Sequence, residues 1–362
     1  MKLPKGLQKK LNERKETNGF RSLQFWQKGI DFYSNDYLGI ARINGGTHLL
    51  EGATGSRLIS GDSAIAHEVE EKAAHFFQEP AGLLYNSGYT ANLGLLSAVP
   101  QRGDTILYDE RCHASIRDGI QLSKAIAYKF RHNDLDHLRS HLKKANGNVY
   151  VIVESIYSMD GDKALLKDLN KTCLDFGAYL MVDEAHACGV YGDQGAGLCT
   201  ASHWPEKIKV FAKIITFGKA FGSHGAMILG SQELKDYLIN FSRPLIYTTA
   251  LPPNAIERIL FALKAVQTAD QQRSRLADNI HYFRQKSAEL SLNILESHSP
   301  IQGLIIPGNT AAKKKAKTLT DNGFLVKAIL SPTVSKGKER IRICLHSFNT
   351  KKEIDQLLNQ LL

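Results

Sequence analysis

Several chemistries are missing from this sequence, and each gap narrows what it can do. No window approaches the roughly 20 consecutive apolar residues that a membrane span needs. The five cysteines (Cys112, Cys173, Cys188, Cys199, Cys344) are odd in number and form no CxxC pair. That argues against a disulfide framework and against a structural zinc site. Cys112 stands beside His113, so a thiol nucleophile is conceivable, but a buried free thiol is the better reading. There is no GxGxxG, no Walker A loop and no GxSxG elbow, so dinucleotide binding, P-loop hydrolysis and α/β-hydrolase chemistry lose most of their support. Without an HExxH pattern, His132, His137 and His141 read as helix surface rather than metal ligands, and no metal is expected. No nucleic-acid-binding module is recognisable, so no nucleic-acid partner is expected. The basic start, Met1 to Glu16, has neither an apolar h-region nor a small-residue cleavage site, and a cytoplasmic enzyme is the expectation. Leu3, Leu7 and Leu11 within it recur at helical spacing and predict a short amphipathic helix.

At 362 residues and 43% hydrophobic, the chain can bury a large core and is long enough for two lobes. The net charge is +10, much of it in Lys313-Lys314-Lys315-Ala316-Lys317 and Lys336-Gly337-Lys338. Such a run reads first as a solvated helix face. The sharper reading is attraction of an anionic partner, such as the phosphates of coenzyme A or an acidic carrier protein.

The middle of the chain alternates apolar runs with helical patterns. Ala81 to Tyr85, Thr105 to Tyr108, Ala125 to Lys129, Val149 to Val153, Tyr179 to Val182, Ile214 to Phe217 and Ala226 to Leu229 read as strands. Ala164 to Phe176 has helical period. The alternation predicts βαβ units: an α/β fold with a mostly parallel central sheet flanked by helices. After Pro252-Pro253 the texture changes. Asn254 to Leu290 reads as one long helix, then come shorter elements, a strand Arg340 to Leu345 and a last helix Lys351 to Leu362. The expected division is an arm over residues 1–35, a large cofactor-binding domain over 36–253, and a bridging helix with a small α+β domain over 254–362.

In parallel sheets, ligands sit beyond the carboxyl ends of the strands. Ser158, Asp183, His186 and Lys219 all fall just past a predicted strand end. Lys219 lies in Thr216-Phe217-Gly218-Lys219-Ala220-Phe221-Gly222, and Asp183 and His186 lie in Val182-Asp183-Glu184-Ala185-His186. This is the equipment that pyridoxal 5'-phosphate requires: an amine for its aldehyde, a carboxylate to keep its ring nitrogen protonated, and a histidine to polarise its ring hydroxyl. Asn86-Ser87-Gly88-Tyr89-Thr90 follows a strand and precedes a helix, which suits a phosphate. The His113 imidazole could stack on the pyridine face. The blander alternatives are a turn lysine, a helix-capping aspartate, packing histidines and a plain strand-to-helix turn.

These segments together resemble the α-oxoamine synthases, a family of fold-type I pyridoxal-phosphate enzymes, from about Phe32 to the carboxyl terminus. The markers are Ser34-Asn35-Asp36-Tyr37-Leu38-Gly39, Gly55-Ser56-Arg57-Leu58-Ile59-Ser60-Gly61, Asn86-Ser87-Gly88-Tyr89 and His113-Ala114-Ser115. They continue through Glu154 to Asp162, Asp183-Glu184-Ala185-His186, Thr216-Phe217-Gly218-Lys219, Tyr247 to Pro253 and Arg340-Ile341-Arg342-Ile343. The resemblance implies a large domain with a mostly parallel sheet, a smaller carboxyl-terminal domain, and a homodimer with active sites at the interface. It implies that Lys219 carries the cofactor, with His113, Asp183 and His186 beside it as catalytic groups. Ser87, Gly88, Tyr89 and Thr216 would lie near the phosphate, Ser158 would reach the phenolic oxygen, and Thr248 or Thr249 would reach the phosphate across the dimer. Arg342 would grip an amino-acid carboxylate, with Asn35 and Arg21 also in the substrate site.

Within the family, the GSRLISG and SMDGD segments lean toward condensation of L-alanine with a pimeloyl thioester, on coenzyme A or a carrier protein, in biotin biosynthesis. Sister reactions using glycine or serine with another acyl-CoA are the alternative. Behind them stand an aminotransferase and a non-catalytic binding protein that keeps the fold.

Overall fold

The apolar runs become strands because residues such as Val151, Ile152, Val153, Met181, Val182, Ile214 and Ile215 are covered on both faces, as a parallel sheet between helices demands. The computed structural model describes residues 12–18, 29–43, 51–200 and 208–362. Its strands are β1 (Ile30–Asp31), β2 (Ala81–Tyr85), β3 (Thr105–Asp109), β4 (Ile126–Phe130), β5 (Val149–Glu154), β6 (Tyr179–Asp183), β7 (Ala212–Thr216) and β8 (Ala226–Gly230). β9 (Ile301–Ile305), β10 (Phe324–Leu325), β11 (Lys327–Ile329) and β12 (Arg340–Cys344) follow. No helix among the described residues is long and apolar enough to cross a membrane.

Two units divide the chain. The larger comprises Leu38–Ser158 and Lys163–Arg273. The smaller comprises the described part of Met1–Tyr37, Met159–Asp162 and Ser274–Leu362. The change of unit thus comes at Arg273 rather than at Pro252. The reason is packing: helix Pro253–Gln267 buries Ile256, Ile259, Ala262, Leu263 and Val266 and lies against helix Ala64–Phe76 of the larger unit. The expected single helix from Asn254 to Leu290 is two, Pro253–Gln267 and Asp270–Glu289. Thr268 turns its hydroxyl back to the Lys264 carbonyl (3.3 Å) at the break. Asp270 then pairs with Arg273 at 2.5 Å in the new first turn.

The larger unit is built on a seven-stranded sheet in the order β2-β8-β7-β6-β5-β3-β4. Every strand but β8 runs the same way; β8 pairs antiparallel with both β2 and β7. β7 starts at Ala212, ahead of the apolar run that predicts it, because Lys213 is a buried strand residue. Its ammonium donates to the Phe77 carbonyl (3.0 Å) and faces Glu79 Oε1 at 3.1 Å. Buried Glu184 adds negative charge nearby and accepts the Leu198 N–H at 2.7 Å, pinning the chain after β6. A second correction concerns His132. It lies in the turn after β4, not on a helix, and its Nδ1 sits 3.0 Å from both oxygens of buried Asp109. His137 and His141 do lie on helix Leu135–Leu142, with ring centroids 4.7 Å apart and the planes tilted by 58°. All five cysteines are buried and free, and burial pushes the Cys112 thiol well above its ordinary range, so it is no thiolate nucleophile.

In the smaller unit, β12 is the centre of an antiparallel sheet, β11-β12-β9, and β1 pairs parallel with β10. The stretch before Leu38 belongs here because the Cys344 N–H donates to the Phe32 carbonyl (2.9 Å) and the Ser347 N–H to the Tyr37 carbonyl (2.8 Å). The lysine run lies on helix Asn309–Asp321, with Lys314 and Lys317 exposed. Residues 12–16 are helical, whereas Leu3, Leu7, Leu11 and Arg21 lie outside the described residues.

Candidate functional site

Because β2, β3, β5, β6 and β7 are parallel, their carboxyl ends share one edge of the sheet. The residues that follow those ends are Ser87 to Tyr89, His113, Ser158, Asp183 to His186, and Lys219. Sequence spacing places each of them individually; the topology brings them together.

At the β2 edge, Ser87 caps helix Gly88–Ala98. The Thr90 N–H donates to Ser87 Oγ (3.2 Å) and the Ser87 N–H to Thr90 Oγ1 (3.1 Å), a reciprocal capping box. The next amides, at Gly88 and Tyr89, head the helix where its dipole favours an anion. A methyl on Gly88 would come within 3.7 Å of the Thr216 side chain, so this helix start and the end of β7 meet directly.

Asp183 closes β6 and is 6% exposed. Its Oδ2 accepts the Asn92 amide at 2.8 Å and its Oδ1 the Ala185 N–H at 2.9 Å. Both donors are neutral, and no cationic side chain of the described residues stands within salt-bridge reach of it. A buried carboxylate so placed would suit a cationic partner, such as a protonated ring nitrogen. His186, three residues on, is buried as well.

His113 caps helix Ala114–Leu122. Its Nδ1 accepts the Ser115 N–H (3.2 Å) and lies 2.8 Å from Ser115 Oγ. The residue remains exposed. Partial desolvation lowers its pKa; the charges of Lys219 and Arg117 act in the same sense and Asp183 acts against them. Glu154 ends β5 beside Asp183 and is their register partner. Burial, then the Asp183 charge, pushes Glu154 up to about 8, opposed by Lys219 and by N–H donors at His113 and Ser158. Lys219 therefore shares one electrostatic cluster with Asp183, Glu154 and His113.

The Lys219 loop is folded tightly. The Gly222 N–H donates to the Lys219 carbonyl (2.8 Å) and the Ser223 N–H to the Phe217 carbonyl (2.8 Å). Phe217 and Phe221, both buried, pack edge to face at 5.5 Å and anchor the loop from below. Gly222 has φ +57°, and a methyl there would strike the Ala41 nitrogen at 2.1 Å, so only glycine fits. Thr216 Oγ1 donates to the Gly225 carbonyl (3.1 Å) and accepts the Gly218 N–H (3.3 Å).

Thr248 lines a narrow recess, partly open to solvent, with Arg57, Tyr85, Asn86, Leu251 and Ile256. Thr249 is exposed, and its carbonyl accepts the Asn86 amide at 2.8 Å. In the smaller unit, Asn35 Oδ1 accepts from Arg342 (3.1 Å) and from the Tyr37 hydroxyl (2.9 Å), so two of the residues expected in the substrate site are neighbours.

Two residues escape sequence reasoning. Asn92 is a buried amide among the apolar residues Ala91, Leu95 and Leu96 of its helix. Glu154 ends an uninterrupted apolar strand, as Asp183 does. A polar residue in an apolar setting is the signal that both carry.

Comparison with known proteins gives the family and the fold. The family model for aminotransferase class I and II matches residues 27–361. The chain is 39% identical to 8-amino-7-oxononanoate synthase of Methylococcus capsulatus, covering 92% of this chain and 88% of that protein. It is 35% identical to the same enzyme of Saccharophagus degradans, covering 100% and 96%. A crystal structure of 8-amino-7-oxononanoate synthase from Francisella tularensis superposes with a TM-score of 0.78 at 30% identity, over 92% of this chain and 96% of that one. A serine palmitoyltransferase of Sphingomonas wittichii shares the fold, with a TM-score of 0.90 at 24% identity, over 100% and 97%. The fold is therefore that of the fold-type I pyridoxal-phosphate transferases, and the chain belongs to the class I and II aminotransferase family, in the group that holds the 8-amino-7-oxononanoate synthases.

Proposed function

We propose that this protein is a pyridoxal-phosphate-dependent acyltransferase that condenses L-alanine with a pimeloyl thioester. The products are 8-amino-7-oxononanoate, carbon dioxide and the free thiol carrier, a step of biotin biosynthesis. The observation that carries the reading is the buried Asp183 carboxylate, held by neutral donors at the sheet edge that also presents Lys219.

The residues present fit the cofactor. Asp183 suits a protonated ring nitrogen, His113 its face, Ser158 and His186 its hydroxyl, and Lys219 its aldehyde. Ser87, Gly88, Tyr89 and Thr216 suit its phosphate, joined by Thr248 or Thr249 of the partner subunit in a homodimer. Bound there, pyridoxal phosphate supplies an electron sink for negative charge at the substrate α-carbon. Lys219 Nζ takes the α-proton as general base and returns one after decarboxylation. Asp183 holds the proton on the ring nitrogen throughout. Arg342, steadied by Asn35, orients the L-alanine carboxylate through a planar guanidinium suited to two parallel hydrogen bonds. Arg21 serves the acyl side, and the enzyme works in the cytoplasm.

The test is mass spectrometry of products from purified protein given L-alanine, glycine or serine with pimeloyl-CoA, pimeloyl carrier protein or other acyl-CoAs. Mass gain corresponding to 8-amino-7-oxononanoate from L-alanine supports the assignment. Preferred use of serine with a long-chain acyl-CoA would replace it with the chemistry of the serine palmitoyltransferase fold neighbours.

A further inference from the structure

We infer that Glu154 is a positioning residue that sets both sides of the cofactor slot, because one of its oxygens holds the backbone of His113 and the other the backbone of Ser158. This rests on the assignment of His113 to the ring face and Ser158 to the ring hydroxyl. The contacts themselves are direct. The His113 N–H donates to Glu154 Oε1 at 2.5 Å, and the Ser158 N–H to Oε2 at 3.3 Å. Glu154 is 3% exposed, so water cannot substitute for it at either amide.

The arrangement reaches beyond two hydrogen bonds. His113 and Ser158 follow different strands, β3 and β5; His113 caps a helix and Ser158 lies in a turn, so neither is held by a ladder. The His113 ring is already tied to its own helix through Ser115, so fixing the His113 peptide fixes the imidazole plane. Asp183 lies one strand over, in register with Glu154. A single carboxylate thus references the ring-stacking residue and the hydroxyl-facing residue to the strand end beside the one that serves the ring nitrogen. Two acceptor atoms on one rigid fork are needed. Glutamine offers one oxygen and would turn an NH2 toward the second N–H, and alanine offers none.

The experiment compares wild type, Glu154→Gln and Glu154→Ala as holoenzymes. The readouts are visible circular dichroism of the bound cofactor per mole of chromophore, kcat, and KM for the thioester. Far-UV circular dichroism confirms folding. The visible ellipticity should fall in E154Q and fall further in E154A, because a tilted ring loses its fixed asymmetry. Turnover should drop about 10-fold in E154Q and about 100-fold in E154A, the scale expected of misplacement near 1 Å. KM for the thioester should stay within about twofold of wild type, since an undirected loss of structure would raise it too. Wild-type ellipticity and kcat in E154A overturn the inference. If E154A does not fold, wild-type values in E154Q overturn it instead. A wild-type protein that takes up no chromophore at all refutes the cofactor assignment, which is a different failure.

Discussion

Asn92 and Asp183 are joined across 91 residues of sequence: the asparagine Nδ2 donates to Asp183 Oδ2 at 2.8 Å and also to Ser115 Oγ at 3.1 Å. One amide on the first turns of a helix thereby ties the Asp183 carboxylate to the helix that His113 caps. The Asn92 carbonyl oxygen, by contrast, has no hydrogen-bond partner among the described residues. Such a buried acceptor costs stability. The side chain is therefore poorly explained as packing and well explained as an anchor for Asp183.

Asn92→Leu is expected to weaken cofactor binding about 10-fold or more, since a hydrogen bond to a charged group is worth about 1.5–3 kcal/mol. Titration of cofactor-free protein, followed by absorbance, gives the dissociation constant. An unchanged constant would show that Asp183 is oriented without this amide.

Lys219→Ala should remove the covalent attachment of the cofactor, and with it the absorbance band near ~420 nm typical of a lysine-bound pyridoxal phosphate. Turnover should be lost in the same variant. Retention of both band and turnover would move the role to another amine.

Gly222→Ala should destabilise the protein by more than about 1–3 kcal/mol, the usual cost of a strained backbone residue, because the methyl also collides with the Ala41 backbone. Urea unfolding measures the loss. The neighbouring Gly218 is the control: a methyl there meets Thr216 Oγ1 at an ordinary 3.7 Å, and Gly218→Ala should cost much less.

Glu154 makes cofactor-free stability depend on pH with a definite sign. Its ordinary value is 4.5 and burial beside Asp183 raises it to about 8, so the folded protein binds a proton that the unfolded chain releases. The contribution is fully present below pH 4.5 and declines as pH rises toward 8, by up to about 1.4 kcal/mol per pH unit for one proton. Glu154→Gln should flatten that decline in a series of denaturant titrations. Identical slopes in the two proteins would assign the titration elsewhere.

Legibility in the sequence follows the range of the forces involved. The strands of the larger sheet are readable because each is a short apolar run bounded by turn residues, and burial on both faces requires that composition. Asp183 and Lys219 stand out as polar residues placed directly after such runs. Glu154 bears the same mark, but its motif directs attention to Ser158 four residues on. Asn92 shows nothing locally beyond its polarity, because its meaning depends on which strand end its helix meets. Lys213 is misread for a similar reason. A lysine normally ends a strand, and only its pairing with Glu79 and the Phe77 carbonyl makes it part of one. The break at Thr268 lacks glycine and proline, so the helical period alone runs through it. His132 looks like helix surface until Asp109, from a neighbouring strand, is placed beside it.

The reversed direction of β8 decides how freely Lys219 can wander. Two parallel neighbours need a crossover of a dozen or more residues between them. β7 and β8 are antiparallel, with Thr216 opposite Ala226, so the amine rides on a hairpin connection limited to residues 217–225. Both stems are locked into the sheet, and little chain entropy remains to be lost when the lysine engages its target. Topology thus holds the Lys219 amine at the sheet edge, and lengthening this connection by even a few residues should loosen it while leaving the sheet intact.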